Sequence, residues 1–313
     1  MSVEPIQEEI PADTLLGKLV QGGFRFDRLH IEGMDNNPVF ALHGTGLKNE
    51  ETCLFHKSVT SGEAYMALLA DRIETGMRNH SPLPVVRFAD GEYAFYSGSV
   101  KCNGLYRQAE SVAAIRAAIP AHIKSLQYLA SQGIMSPLVF SGNVQRQRGI
   151  HTLFRKKFGN DTALCFLELL AKNSLQLTAS NYIPFYVVYA YLSSTRFARA
   201  VDGKTVCIVN SDFNEAACAA WFARAGSYPR LVHVPIPASY VATQWDSVRE
   251  DAFRNVPENV DCFMVGAGVG ALQICVDAAR RFSAPAIDSG HILNMMNDLE
   301  SKSQGPRLFT FRR

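Results

Sequence analysis

Absences narrow the field first. No two cysteines stand at C-x-x-C spacing, since the seven occupy positions 53, 102, 165, 207, 218, 262 and 275. That removes a zinc knuckle or dithiol redox site, and the odd count excludes a complete intrachain disulfide framework. Cys207 in TVCIV and Cys262 in DCFMV lie in apolar runs, where a thiol acts as a small core hydrophobe, so a reducing compartment is expected. Charge of one sign is equally scarce. The 31 Lys and Arg against 29 Asp and Glu leave +2, far short of the basic footprint of a dedicated duplex-DNA binder. No uncharged run approaches the ~20 residues that cross a bilayer. The opening stretch MSVEPIQEEIPADTLL is acidic and lacks the basic start and apolar core of a secretory leader. A cytoplasmic protein with no membrane span is the expectation. Internal repeats and low-complexity tracts are missing, and no Ser–His–Asp or Cys–His arrangement offers a nucleophile.

What is present is a globular composition, 313 residues with 47% hydrophobic and 19% charged side chains, enough for one large α/β domain. Residues 1–58 read as an N-terminal extension with a short hairpin, FRFDRLHIEG followed by PVFALHGTG. From residue 59 the pattern is regular. Thr60 and Glu63 form a capping box before Tyr65, Leu68, Leu69, Ile73 and Met77 at helical spacing. A helix from Val112 should kink at Pro120. Further along come a strand near Ile134 to Phe140, a helix at 161–172, a strand at Leu175 to Thr178 and a helix from Phe185 to about Ala200. The strands KTVCIVN, RLVHVPI, VDCFMVG and APAID then alternate with helices to the end. Continuous apolar strands separated by helices predict a doubly wound, mostly parallel, Rossmann-like sheet covered on both faces.

Two constellations carry chemistry. Asp90-Gly91-Glu92 directly follows the strand Val85-Val86-Arg87-Phe88, and ligands of such sheets bind outside the carboxyl ends of strands. In an extended chain, acids two positions apart project to one side and can share one Mg²⁺ or Mn²⁺, with substrate phosphates and water completing its shell. Gly91 would let the backbone approach, and Arg87 could pair with a phosphate or with one of the acids. As a bare tripeptide D-G-E is more often an ordinary acidic turn.

The second constellation is Gly266-Ala267-Gly268-Val269-Gly270-Ala271, which follows an apolar strand and opens a helix. Asp288 closes the next strand, 22 positions beyond Gly266. This is the layout of a dinucleotide turn, with backbone N–H groups on phosphate and an acid on ribose. Its place near the chain's end argues against a dehydrogenase, and the glycines could equally serve tight strand-to-helix packing. Asp288 and His291 flank Gly290, and His291 is a candidate base for an acceptor hydroxyl, though a lone histidine is more often structural. Asp212, after strand KTVCIVN, is a nucleotide contact or, more often in such places, it or Ser211 caps the next helix. Tyr182 is a candidate wall of a sugar pocket. Trp245 and Tyr240 could stack on a ring or simply pack.

The string VVRFADGEYAFYSG resembles the R-F-G-D-G-E signature of the GT-D-fold glycosyltransferases, whose D-x-E element binds metal and the donor diphosphate. The segments SNYIPFYV, KTVCIV, VHVPIPASYVATQWDSV, VGAGVGAL and PAIDSGHI match that family's later landmarks in order and spacing, so the resemblance covers about residues 60–313. It implies a glycosyltransferase domain over 59–313 that uses a nucleotide-sugar donor, UDP-linked, with Asp90 and Glu92 at a divalent metal and Arg87 as the motif arginine. Ala89 stands where the family has Gly, and Ser289 interrupts its usual D-I-G-H. The acceptor is left open between a glycan, a protein, a small molecule and a modified nucleobase, and a homo-oligomer is compatible with the chain. Rival readings are a NAD- or S-adenosylmethionine-binding enzyme using the glycine turn, or an inactive nucleotide-binding protein on the same fold.

Overall fold

The computed structural model describes residues 25–31, 48–55, 59, 61–100, 107–144 and 163–298. Strand β1 (Arg25–Ile31) pairs antiparallel with β2 (Lys48–Leu54). The expected hairpin therefore takes a later second arm, and the segment 38–46 lies outside the described residues. Phe26 and Cys53 enter one half of the core, while Leu29 and Leu54 enter the other. The alternation of a strand thus ties this hairpin to both layers.

Helix α1 (Gly62–Asn79) is capped by Ser61, whose hydroxyl accepts from the Ala64 N–H. Thr60, the expected cap, lies outside the described residues. Strand β3 (Leu83–Phe88), helix α2 (Asp90–Tyr96), helix α3 (Val112–Gln132) and strand β4 (Ile134–Pro137) follow. Pro120 sits inside α3, which continues through it as one helix. Short α4 (Ser141–Val144) and α5 (Ala163–Lys172) precede α6 (Phe185–Leu192) and α7 (Thr195–Ala200).

The single helix expected over 185–200 is broken in two. The Ser193 hydroxyl donates to the Tyr189 and Ala190 carbonyls, and the Ser194 hydroxyl accepts from the Phe197 N–H. Such local side-chain bonds end one helix and cap the next. The strand expected at Leu175 to Thr178 is not a member of the six-stranded sheet.

The remaining units alternate: β5 (Thr205–Asn210), α8 (Glu215–Ala223), β6 (Arg230–Pro235), α9 (Val241–Phe253), β7 (Cys262–Val265), α10 (Ala271–Phe282), β8 (Pro285–Asp288) and α11 (Gly290–Met296). The six strands from β3 to β8 form one sheet, in the order β4-β3-β8-β7-β5-β6, with every neighbouring pair parallel. Side chains of alternate parity feed two apolar layers. Val86, Phe88, Cys207, Val209, Phe263 and Ala286 pack with α3, α5, α9 and α10. Val85, Ile134, Ile208, Met264 and Ile287 pack with α1, α6, α7, α8 and α11. The expected doubly wound α/β fold is what the chain adopts. Among the described residues no helix is long and apolar enough to cross a membrane.

Strand order also fixes where a ligand can enter. From β5 the chain moves outward to β6, whereas from its neighbour β7 it moves the opposite way to β8. Adjacent strands whose connections diverge leave a crevice at their carboxyl ends. The ends of β5 and β7 are such a pair, and those of β8 and β3 lie alongside.

Candidate functional site

Arg87 and Asp288 form the buried centre of this edge. The guanidinium Nη2 donates to Asp288 Oδ1 at 2.8 Å, its Nε donates to the Asp288 carbonyl at 3.0 Å, and the Arg87 N–H reaches Oδ2 at 3.2 Å. Both side chains are about 7% exposed. The guanidinium carbon also lies 3.9 Å from the centre of the Tyr189 ring and 5.1 Å from that of Phe185. Burial works against the arginine's charge, but Asp288 and Tyr189 outweigh it and raise its pKa. Burial raises the Asp288 carboxyl, with Arg87 pulling the other way, and pushes the Tyr189 phenol up to about 12. The ion-pair partner of Arg87 is Asp288, and of the D-G-E acids Glu92 also favours its charge. Asp288, expected to reach ribose, is engaged by the arginine. Gly290 makes the packing feasible: at φ +39, a Cβ there would lie 2.2 Å from Arg87 Nη2.

The two acids of D-G-E are not extended. Helix α2 begins at Asp90, so Asp90 and Glu92 occupy its first turn, where residues two apart point roughly 200° from each other. Asp90 is exposed. Glu92 turns back, its Oε2 accepting the Ala89 N–H at 2.8 Å, the reciprocal half of a capping box. Both acids favour the positive end of the helix dipole. The expectation of two parallel carboxylates is corrected accordingly. Gly91 lies between them within the helix and makes no turn.

Burial, reinforced by the nearby Asp288 charge, raises the Glu92 carboxyl to about 7, although the Ala89 N–H and Arg87 oppose the shift. The Tyr93 hydroxyl fastens the same helix by donating toward the Phe88 and Leu138 carbonyls. Tyr96 at its other end meets His122 Nδ1 at 3.1 Å, and His122 Nε2 lies 2.7 Å from the Ala242 carbonyl. His122 therefore carries its proton on Nε2 and stays neutral, burial lowering its pKa to about 4.

The glycine turn packs directly against α2, with Phe95 and Val269 sharing one small apolar cluster. Gly268–Gly270 form a short 3-10 turn before α10. Gly266 lies against Leu293 and the Asn210 carboxamide, and Gly270 against Val241, so these two serve the close packing that the sequence left as an alternative. Gly268 differs, with a left-handed backbone (φ +53) and the Gln108 carboxamide lying across it.

At the crevice mouth, Ser211 donates to Asp212 Oδ2 at 3.1 Å. The cap of α8 is Asn214, accepting from the Ala217 N–H, and neither Asp212 nor Ser211 takes that role. Asn210, 1% exposed, accepts from Ser211 N–H through Oδ1 and has a buried, unpartnered Nδ2. His233 stacks on Phe213 with ring centres 4.9 Å apart. His291, second residue of α11, is half-buried, and its backbone is bonded at the Tyr189 hydroxyl.

Tyr182 is placed elsewhere. It is 1% exposed and its hydroxyl donates to the Cys53 carbonyl, so it pins the hairpin and lines no crevice. Trp245 is buried and donates to Asp277 at 2.8 Å, a packing role. Sequence reasoning missed Gln108, Tyr189 and Asn210. Gln108 and Tyr189 meet partners far away in the chain, and a single glutamine or tyrosine carries no local signal.

No protein-family model and no curated protein matches this chain. Among solved structures, one described as "The highly conserved domain of unknown function 1792 has a distinct glycosyltransferase fold" is similar, with 14% identity and a TM-score of 0.45 over 81% of this chain and 89% of its own. A selenomethionine-substituted structure of that domain is similar at 14% identity and a TM-score of 0.43, with the same coverage.

Proposed function

We propose that the chain is a glycosyltransferase taking a sugar from a nucleotide-sugar, UDP-linked, in the crevice at the carboxyl ends of β5 and β7, beside the glycine turn. One observation carries the reading: helix α2, whose first turn bears Asp90 and Glu92, meets the Gly268–Gly270 turn through Phe95 in its last turn, at the carboxyl edge of a parallel sheet. An acid-bearing helix and a glycine turn of the kind that suits phosphate thus lie in contact although nearly 180 residues apart in sequence. The backbone N–H groups opening α10 would hold the donor phosphates. Arg87 and Asp288, locked together, give the crevice a rigid charged floor. Glu92, near half-protonated at neutral pH, is suited to hold or pass a proton there.

The residues fit a divalent cation only in part. Among the described residues no group of three or more His, Cys, Asp or Glu is gathered for metal, and Glu92 and Asp90 would supply at most two ligands. Mg²⁺ and Mn²⁺ accept such sites when donor phosphates and water complete the shell. A bound cation would supply Lewis-acid stabilisation of the departing diphosphate. A positive charge beside Glu92 would also oppose the burial that raises its pKa.

The test is UDP-sugar hydrolysis or transfer with Mn²⁺ for wild type, Asp90→Ala and Glu92→Ala. Both variants should lose at least ~10-fold in kcat/KM. Unchanged turnover in both removes the proposal. Binding of NAD or S-adenosylmethionine that survives chelation and Asp90→Ala would replace it with a cofactor enzyme, and UDP binding without turnover with a nucleotide-binding protein.

A further inference from the structure

The glycine turn is already occupied by a side chain of this protein. Gln108 Oε1 accepts the Val269 N–H at 3.0 Å, at the entry to α10. Its carboxamide lies so close over Gly268 that a Cβ there would sit 2.6 Å from Nε2 and 2.7 Å from Oε1. Gln108 is 8% exposed. It belongs to a short strap, residues 107–110, held at three points. The Arg107 carbonyl accepts the Tyr240 N–H at 2.8 Å, Ala109 packs with Phe95 and Val269, and Glu110 Oε1 accepts from Gln244 Nε2 at 2.6 Å. With the strap in place, the gap between Ser211, Ser239 and Gly266 has a volume of about 10 Å³, room for one water at most.

An amide oxygen on a helix-entry N–H occupies the place an anionic phosphate oxygen would take. Asn210 adds a second observation: it is 1% exposed, and its Nδ2 donor lies beside Gly266 at the base of the turn with no hydrogen-bond partner among the described residues.

We propose that Gln108 is a built-in competitor for the donor's phosphate: strap 107–110 and a nucleoside diphosphate exclude each other at the glycine turn, so donor entry requires the strap to leave. This rests on the nucleotide reading of the crevice. Binding breaks the Gln108–Val269 and Arg107–Tyr240 hydrogen bonds and gives the Val269 N–H to phosphate. The strap therefore lowers the apparent affinity by the fraction of time it is closed.

The experiment is calorimetric titration of UDP with Mn²⁺ into the full chain, as wild type, Gln108→Ala, Gln108→Glu and Glu110→Ala. Removing one competing hydrogen bond should tighten UDP about fivefold to tenfold in Gln108→Ala. Glu110→Ala, which loosens the strap without touching the turn, should tighten it in the same sense. Gln108→Glu keeps an acceptor on the Val269 N–H and adds a negative charge, so it should bind more weakly than wild type. Hydrogen exchange gives a readout that a bland packing role would not move: UDP should speed exchange at the Tyr240 amide. If UDP binds wild type while Gln108→Ala and Glu110→Ala bind no more tightly and the Tyr240 amide slows, the competitor is refuted and the nucleotide site stands. If UDP binds none of the four proteins, the nucleotide reading falls and takes the competitor with it.

Discussion

Replacing Glu92 by Gln should stabilise the protein, and do so only at neutral to alkaline pH. In the unfolded chain this carboxyl titrates near 4.5, and in the folded protein near 7, burial being the main cause. The folded state then binds the proton more tightly, so the group's contribution is complete below pH 4.5 and is lost as pH rises through 7. One unit is ~1.4 kcal/mol, and the full shift makes the ionised glutamate cost at most about 2.5 kcal/mol more at pH 8 than at pH 5. Glu92 is half-buried, and solvent screening reduces the measurable part to roughly 1–2 kcal/mol.

Glutamine keeps an oxygen for the Ala89 N–H and removes the charge. Urea unfolding of wild type and Glu92→Gln at pH 5 and pH 8, in metal-free buffer, measures the difference, and groups unchanged by the substitution cancel. The variant should gain roughly 1–2 kcal/mol more at pH 8 than at pH 5. An equal effect at both values, or a loss confined to pH 8, would refute the account of Glu92 as an acid held in an unfavourable place. Stability gained at the expense of turnover would mark the residue as kept for function.

Other perturbations follow from the same geometry. Arg87→Met strands the Asp288 carboxylate in the interior and should cost about 3–5 kcal/mol in urea unfolding; a cost below about 1 kcal/mol would show that the pair is not the centre of this edge. Tyr182→Phe removes the hydroxyl bond to Cys53 and should cost about 1 kcal/mol, with UDP affinity unmoved. His122, neutral and buried, has a pKa lowered to about 4, so its contribution is present above its ordinary 6.5 and lost as pH falls through 4. Acid unfolding curves should show up to about 3 kcal/mol from this group, and His122→Gln should flatten them.

The layered fold was legible because its signal is local and repeated. Runs such as KTVCIVN and VDCFMVG are apolar at every position, since both faces of the sheet are covered, and each is followed by a helix with its own turn. Misjudgements fell where one polar side chain decides the outcome. Ser193 and Ser194 divide a stretch whose composition reads as one helix. Residues Leu175 to Thr178 have strand-like composition, yet the sheet closes without them, and composition cannot report which strands find a place.

The site was legible as a set of places and not as a set of contacts, and Asp90–Glu92 shows why. Their position after β3 followed from the apolar run that precedes them. Their direction depended on whether the chain stays extended past Phe88 or turns into a helix at once, and D-G-E suits either. The helix wins because Glu92 at its third position satisfies the Ala89 N–H, while Tyr93, Ala94 and Phe95 then bury an apolar face. The same helix that turns the two acids apart sets Phe95, in its last turn, against Val269 of the glycine turn. Arg87, read as a partner for a phosphate or for one of the D-G-E acids, holds Asp288, and Gln108 takes the Val269 N–H of the glycine turn. The crevice is thus built from interactions that a ligand must either respect, as with the buried Arg87–Asp288 pair, or break, as with Gln108 on Val269. Only the second kind can change when a donor arrives, which is why affinity should respond in opposite senses to Gln108→Ala and Gln108→Glu.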